Sequence, residues 1–249
     1  MSKLLKPSIF LYILFIIMIY KLIKEGYWKN ILKKTIEEIK KNYKILTVIL
    51  IGVIFIIFFV DSDLSRFFSK INSKKNIFSV ISELGNVYIG NGKFIFPFLL
   101  TGIIVGIILN LKKIEKIFSI SLMSTSYAGL MVLLIKGVIS RERPFVANNP
   151  LQFFNYIKAY NAGELFKFDY LSMPSGHTIT AFATFIPFFL YVKNKYLKAL
   201  FLFIPSIVLF SRVYTYRHWL SDVIVGAVLG SLVAYSVYEN NKNKIIEEV

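Results

Sequence analysis

Three short polar stretches carry the residue types that act on an anion, and the chain's two histidines, His177 and His218, fall in two of them. The first reads Lys136-Gly-Val-Ile-Ser-Arg141-Glu142-Arg143-Pro144. Three cations close together beside an apolar run suit an anion site, and Pro144 ends any helix there. A lysine at the end of an apolar helix also arises simply because its ammonium snorkels to water. The second stretch, Pro174-Ser175-Gly176-His177, opens another apolar run. Proline suits a helix start, Gly176 lets backbone approach a ligand, and unpaired N–H groups at a helix N-terminus favour phosphate. An ordinary helix cap fits the same tetrapeptide. The third runs from Ser211-Arg212 through Arg217-His218 to Asp222. If His218 and Asp222 are both helical, their spacing puts them on one face. The carboxylate then fixes the imidazole tautomer and leaves the other ring nitrogen free to attack. A purely structural pair fits the spacing too, although a carboxylate at the end of an apolar run is costly without a partner. Lys136, Arg141, Arg143, Arg212 and Arg217 against Glu142 and Asp222 leave a positive surplus that suits a dianionic phosphoryl group.

These stretches act together only if the elements between them bring them together. Hydrophobic residues make up 56% of the chain and the mean hydropathy is +0.62, too apolar for a soluble domain of this length. The apolar residues fall in blocks near 45–60, 94–111, 117–135, 178–192, 199–210 and 219–238. This pattern predicts an all-α polytopic membrane bundle of six core transmembrane helices. The expected organisation is an N-terminal extension over 1–44, a membrane domain over 45–238 and a cytoplasmic tail over 239–249. If the six segments alternate across the bilayer, all three polar stretches reach the same side. Lys112, Lys113 and Lys116, and Lys193, Lys195 and Lys198, fill short loops on the other side, which the positive-inside rule makes cytoplasmic. The net charge of +16 is accounted for by such lysines, which argues against nucleic acid as a partner. There is no cysteine, so neither a disulfide framework nor a thiolate metal site is possible.

Residues 1–44 hold two further features. Ile9–Tyr20 is an apolar run, short for a span, and both spanning and interfacial placements fit it. In residues 24–44, Tyr27, Trp28, Ile31, Leu32, Ile36, Ile39 and Tyr43 recur at helical spacing among lysines. An amphipathic helix on an anionic membrane surface and a helix packed on its own protein fit equally. A further amphipathic helix is expected within 61–93, with Leu64, Phe67, Phe68, Ile71, Phe78 and Ile81 along one side. Gly226 and Gly230 are spaced for close helix packing.

The three stretches together resemble the signature of the type-2 phosphatidate phosphatase superfamily, which also includes the vanadium haloperoxidases. That signature reads Lys-x6-Arg-Pro, then Pro-Ser-Gly-His, then Ser-Arg-x5-His-x3-Asp. Every fixed position is matched in order: Lys136 with Arg143-Pro144, Pro174 to His177, and Ser211-Arg212 with His218 and Asp222. The resemblance covers roughly 45–238 and leaves out the N-terminal 44 residues. It implies that His218 is the nucleophile and forms a phosphohistidine, that Asp222 orients it, and that His177 protonates the leaving oxygen and later helps to activate water. It implies a phosphate clamp of Lys136, Arg143 and Arg212, assisted by Ser175 and the Gly176 amide. Arg141, Glu142 and Arg217 lie outside the signature, and only their charge suggests them. No metal or other cofactor is implied, and two histidines without cysteine make a poor metal site.

The expected function is a metal-independent hydrolase of a lipid phosphate or pyrophosphate, multi-pass in the cell membrane, with its active site on the non-cytoplasmic face. The lipid phosphate substrate and surrounding membrane lipids are the expected partners, and nothing in the sequence calls for a protein partner. The resemblance offers undecaprenyl pyrophosphate, phosphatidylglycerol phosphate, phosphatidic acid and lipid A phosphates as substrates, with undecaprenyl pyrophosphate preferred. The 145–173 loop bears on selectivity or anchors the interface with Phe153, Phe154, Tyr156, Tyr160, Phe166 and Phe168. A lipid phosphotransferase using the same phosphohistidine and a transporter are the rival readings; a transporter more often holds its charges near the bilayer midplane.

Overall fold

The computed structural model describes residues 27–71, 77–147, 149–161 and 168–246. The Ile9–Tyr20 run and Phe166 of the 145–173 loop lie outside the described residues. Among the described residues all regular structure is helical. The elements in chain order are α1 (Tyr27–Lys41), α2 (Tyr43–Phe59), α3 (Asp61–Ile71), α4 (Ile77–Glu83) running into a π-helical turn (Leu84–Ile89), α5 (Gly92–Ile108), α6 (Lys112–Ile139), α7 (Tyr156–Asn161), a 3-10 turn (Phe168–Tyr170), α8 (Gly176–Tyr191), α9 (Lys195–Tyr214) and α10 (Leu220–Ile246).

Six of these helices, α2, α5, α6, α8, α9 and α10, overlie the six apolar blocks. Length and apolarity are a stricter test. By that test α6, α9 and α10 are each able to cross a bilayer, and the total rises to five if two bent pairs each form one span. The pairs are α1 with α2, bent by 81°, and Ile77–Ile89 with α5, bent by 60°. The sixth helix, α8, has only 16 residues, shorter than the roughly 20 that a bilayer core requires. It forms the enclosed axis of the bundle: Ile179, Ala181, Ala183 and Thr184 are fully buried. Helix α10 continues to Ile246, through much of the stretch expected to be a tail.

Around α8 the packing is close because the sequence removes side chains where helices meet. A Cβ at Gly230 would lie 2.5 Å from the Ile179 carbonyl oxygen, and one at Gly226 would lie 2.9 Å from that of Ser175. The two glycines therefore let α10 approach the α8 backbone, as small residues do in membrane bundles. On its other side α8 meets α6 through hydroxyls. Thr125 and Thr184 share a hydrogen bond of 2.8 Å, and Ser121 donates to the Thr184 carbonyl at 2.7 Å. Ile120, Tyr127, Ala128, Ile179, Ala183, Val233 and Val237 fill the space between α6, α8 and α10. Helix α2 sits outside this core. Val53 and Ile57 pack on Met173, Ile224 and Val225, while Ile45, Val48, Leu50, Ile51, Phe55 and Phe59 stay exposed, as a lipid-facing helix requires.

Helix α1 packs on its own protein through one face. Ile31, Thr35 and Glu38 are buried, with Ile31 packed among α6 and α10 residues. A neighbouring stripe of Leu32, Ile36 and Ile39 remains exposed. The single amphipathic helix expected in 61–93 is instead two helices, α3 and α4. Phe68 of α3 and Phe78 of α4 converge on the Tyr214 ring, at centroid distances of 5.6 and 6.3 Å. That aromatic contact supplies a tertiary reason for the chain to fold back, which periodicity along one helix does not reveal.

Candidate active site

Each polar stretch sits at a helix end, and all these ends gather at one end of the bundle. Lys136 is in the last turn of α6, which runs on to Ile139 and is closed by Ser140 at φ 41°. Its ammonium donates to the Leu171 carbonyl at 2.5 Å, and its side chain passes the start of α8, Cε lying 3.8 Å from where a Gly176 Cβ would be. The loop after α6 is pinned by backbone bonds, Arg143 N to Asp169 O at 2.9 Å and Ser172 N to Arg141 O at 2.9 Å. These bring Arg143 to the Pro174–His177 stretch. The Arg143 guanidinium also donates to the Arg217 carbonyl at 3.3 Å, which ties the first stretch to the third.

Helix α8 begins at Gly176 with Ser175 as its N-cap, and the Ser175 side chain makes no capping bond to the helix. Ser175 Oγ accepts from Thr178 Oγ1 at 3.0 Å instead. The first amides of α8 therefore keep their donors for an anion. The Ser175 amide donates to the Asp222 carbonyl at 3.0 Å and so fastens the start of α8 to the start of α10. The π-helical turn closes the opposite wall. A Cβ at Gly90 would meet Val208 and, at 3.0 Å, the His177 Cβ. Asn86 of that turn accepts a hydrogen bond from the Arg212 guanidinium.

His218 is not on a helix with Asp222, contrary to the helical reading of their spacing. Helix α9 ends at Tyr214, and a turn with Tyr216 at φ 58° returns the amides of Arg217 and His218 to the Arg212 carbonyl. Helix α10 starts only at Leu220. Asp222, the third helical residue, reaches back to accept the Trp219 amide at 3.0 Å, as the acidic partner of a capping box does. The four-residue spacing is thus set by a helix start. Asp222 Oδ2 lies 3.4 Å from His218 Nδ1 and accepts from Ser172 Oγ at 2.5 Å. Ser172 Oγ is itself 3.4 Å from the same ring nitrogen.

The electrostatics favour an anion and a neutral His218 imidazole. Burial holds the His218 pKa well below the ordinary value of 6.5, and the charges of Arg143, Arg212, Lys136 and His177 push it the same way. His218 therefore keeps a lone pair at neutral pH. Those four groups share one field around His218, so the three stretches and both imidazoles converge. Arg212 is 5% exposed, and its Nε finds no hydrogen-bond partner among the described residues. A buried guanidinium donor without a protein acceptor is expensive unless a ligand takes it. Among the described residues no group of three or more His, Cys, Asp or Glu side chains is gathered for a metal.

The three residues suggested only by charge play other parts. Arg141 is fully buried and paired with Asp222 at 2.5 Å and Asp61 at 2.9 Å. Glu142 pairs with Lys158 at 2.5 Å, which raises the lysine's pKa, and its carbonyl accepts the Trp219 indole N–H at 2.9 Å. Arg217 is exposed and lies over the Phe145 ring. Sequence reasoning missed Asp61, Asn86, Ser172 and Ser221. Asp61 carried a signal: it directly follows an apolar block, where an unpaired carboxylate is costly, the same argument that singled out Asp222. Asn86, Ser172 and Ser221 carried none.

A model of the PAP2 superfamily matches residues 117–246, which hold all three stretches. The crystal structure of Aquifex aeolicus LpxE is similar with a TM-score of 0.47 and 22% sequence identity, over 70% of this chain and 93% of that one. No curated protein sequence matches the chain.

Proposed function

Because the chain belongs to the PAP2 superfamily, we propose that it is a membrane phosphatase that hydrolyses a lipid phosphate or pyrophosphate through a phosphohistidine on His218. One observation carries the reading. A buried cluster of cations, with an Arg212 donor that no group accepts among the described residues, lies beside an imidazole held neutral and the uncapped start of α8.

In the first step His218 Nε2 attacks phosphorus, with Nδ1 directed to Asp222 and Ser172. The N–P bond forms as the bond to the leaving oxygen breaks, and His177 gives that oxygen a proton. The bound dianion supplies the negative charge that keeps a proton on His177 among its cationic neighbours. In the second step water attacks the phosphorus, His177 takes its proton, and the N–P bond breaks to return His218 and release orthophosphate. Lys136, Arg143, Arg212 and the first amides of α8 hold the equatorial oxygens through both steps, the chief requirement of phosphoryl transfer. The exposed apolar flanks of α2 and α5 would keep the substrate's chains in lipid while its phosphate reaches the pocket. The site faces away from the lysine loops, so the reading places it on the non-cytoplasmic side of the cell membrane.

The test is phosphate release by the purified full chain from undecaprenyl pyrophosphate, taken first, and from phosphatidylglycerol phosphate, phosphatidic acid and lipid A phosphates. Free orthophosphate without an added acceptor is expected, and turnover that requires a lipid or sugar acceptor would make the protein a transferase. His218→Ala should cost about 10⁴-fold or more in kcat. A folded His218→Ala variant with near-normal turnover would remove the nucleophile from the mechanism.

A further inference from the structure

Asp222 divides its two oxygens between two neighbourhoods. Oδ2 serves the nucleophile side, with Ser172, the Trp219 amide and His218 around it. Oδ1 accepts from Arg141 Nη1 at 2.5 Å. The same nitrogen donates to Ser221 Oγ at 2.7 Å, Nη2 donates to Asp61 Oδ2 at 2.9 Å, and Nε donates to the Pro150 carbonyl at 2.9 Å. Phe153 and Trp219 flank the guanidinium, their centroids 4.8 and 5.3 Å away. Asp61 in turn accepts the Ser221 amide at 3.0 Å and the Ser221 hydroxyl at 2.5 Å. The side chains of Asp61, Arg141 and Asp222 are all fully buried.

Three charges taken out of water are poor value for stability alone, since apolar residues of similar volume commonly do as well. What such a cluster does supply is direction. A rigid, planar guanidinium holds several acceptors in fixed directions at once, here Asp222 on one nitrogen and Asp61 on another, which an ammonium on a flexible stem does not. Each guanidinium nitrogen of Arg141 is anchored to a different part of the chain: the start of α10, the start of α3 and the 140–150 loop. Arg141 has no exposed surface through which to meet a substrate.

We propose that Arg141 and Asp61 are positioning residues for the phosphoryl transfer. Arg141 holds Asp222 in the orientation that presents Oδ2 to His218 Nδ1, and Asp61 holds Arg141. The proposal rests on the assignment of His218 as nucleophile. It assigns to the start of α3, outside the three-part signature, a part in the chemistry.

The experiment compares Asp61→Asn, Arg141→Lys and Arg141→Gln in the purified full chain, reading kcat, KM, orthovanadate inhibition and thermal unfolding. Asp61→Asn is close in shape to the parent and is expected to fold. It should lower kcat by about 100-fold, the scale of a small misplacement of a reacting group. KM and the vanadate inhibition constant should stay within about threefold, because the cluster does not touch the anion. Arg141→Lys, which keeps the charge and loses the fork, should show the same kcat-selective loss. A folded Asp61→Asn variant with kcat within about twofold of the parent would overturn the proposal. So would a loss shared equally by KM and vanadate binding, or failure of Asp61→Asn to fold, since either marks the cluster as scaffold. His218→Ala run in parallel separates the two ideas: full activity there removes the nucleophile assignment, whatever Asp61→Asn shows.

Discussion

Arg141 and Arg212 are both buried at the same end of the bundle, and their surroundings are opposites. Arg141 is gripped through all three guanidinium nitrogens and faces two carboxylates. Arg212 has Asn86 on one nitrogen, no partner on Nε among the described residues, and Arg143 and Arg217 as like-charged neighbours. A cation compensated by the protein holds protein groups in place, and a cation left uncompensated serves a ligand. Charge and spacing alone cannot separate the two, since each is simply an arginine near a helix end.

The contrast breaks or sharpens under substitution. Arg141→Gln should be the larger blow to the folded state, about 3–5 kcal/mol, because it strands Asp61 and Asp222 without their counter-charge. Thermal unfolding in detergent measures it, and an unchanged transition would show that the two carboxylates do not need the guanidinium. Arg212→Gln should instead leave the transition in place or raise it, while kcat/KM falls by about 10²–10³-fold. A clear fall in thermal stability for Arg212→Gln would place both arginines in one class. Orthovanadate should stabilise the parent protein by about 2.7 kcal/mol at a hundred times its dissociation constant. The same ligand should shift the Arg212→Gln transition far less, and equal shifts would locate the anion elsewhere.

The finest test uses pH. In the proposed mechanism attack requires neutral His218, whose pKa is held well below 6.5 by burial first and by Arg143 next. Rate lost through protonation of His218 as pH falls should therefore appear only well below pH 6.5 in the kcat/KM profile. Removing a nearby cation lets the imidazole hold its proton more readily, so Arg143→Gln should move that limb to higher pH. A limb that stays put would mean that desolvation alone sets the titration.

Much of this was legible before any coordinates. The apolar blocks marked out six helices because a chain in lipid must satisfy its backbone within each segment. The signature residues were legible because they crowd helix ends in short polar stretches. Three things were not. Asp61 acts across 80 residues of chain, through a salt bridge to Arg141, and a pairing of that range leaves no periodic trace. The His218–Asp222 spacing looked helical, yet a capping contact between Asp222 and the Trp219 amide produces the same interval. The place of the short α8 at the bundle axis was not legible, because its hydropathy does not reveal that protein encloses it.

The crowding of Lys136, Arg143 and Arg212 around one imidazole has a kinetic corollary. Mutual repulsion among desolvated cations is relieved whenever an anion settles among them and returns whenever it leaves. Orthophosphate, the last species on the enzyme in each cycle, enjoys the same relief as the substrate did. On the proposed mechanism its escape should be the uphill passage of the cycle, and accumulating free phosphate is expected to slow turnover.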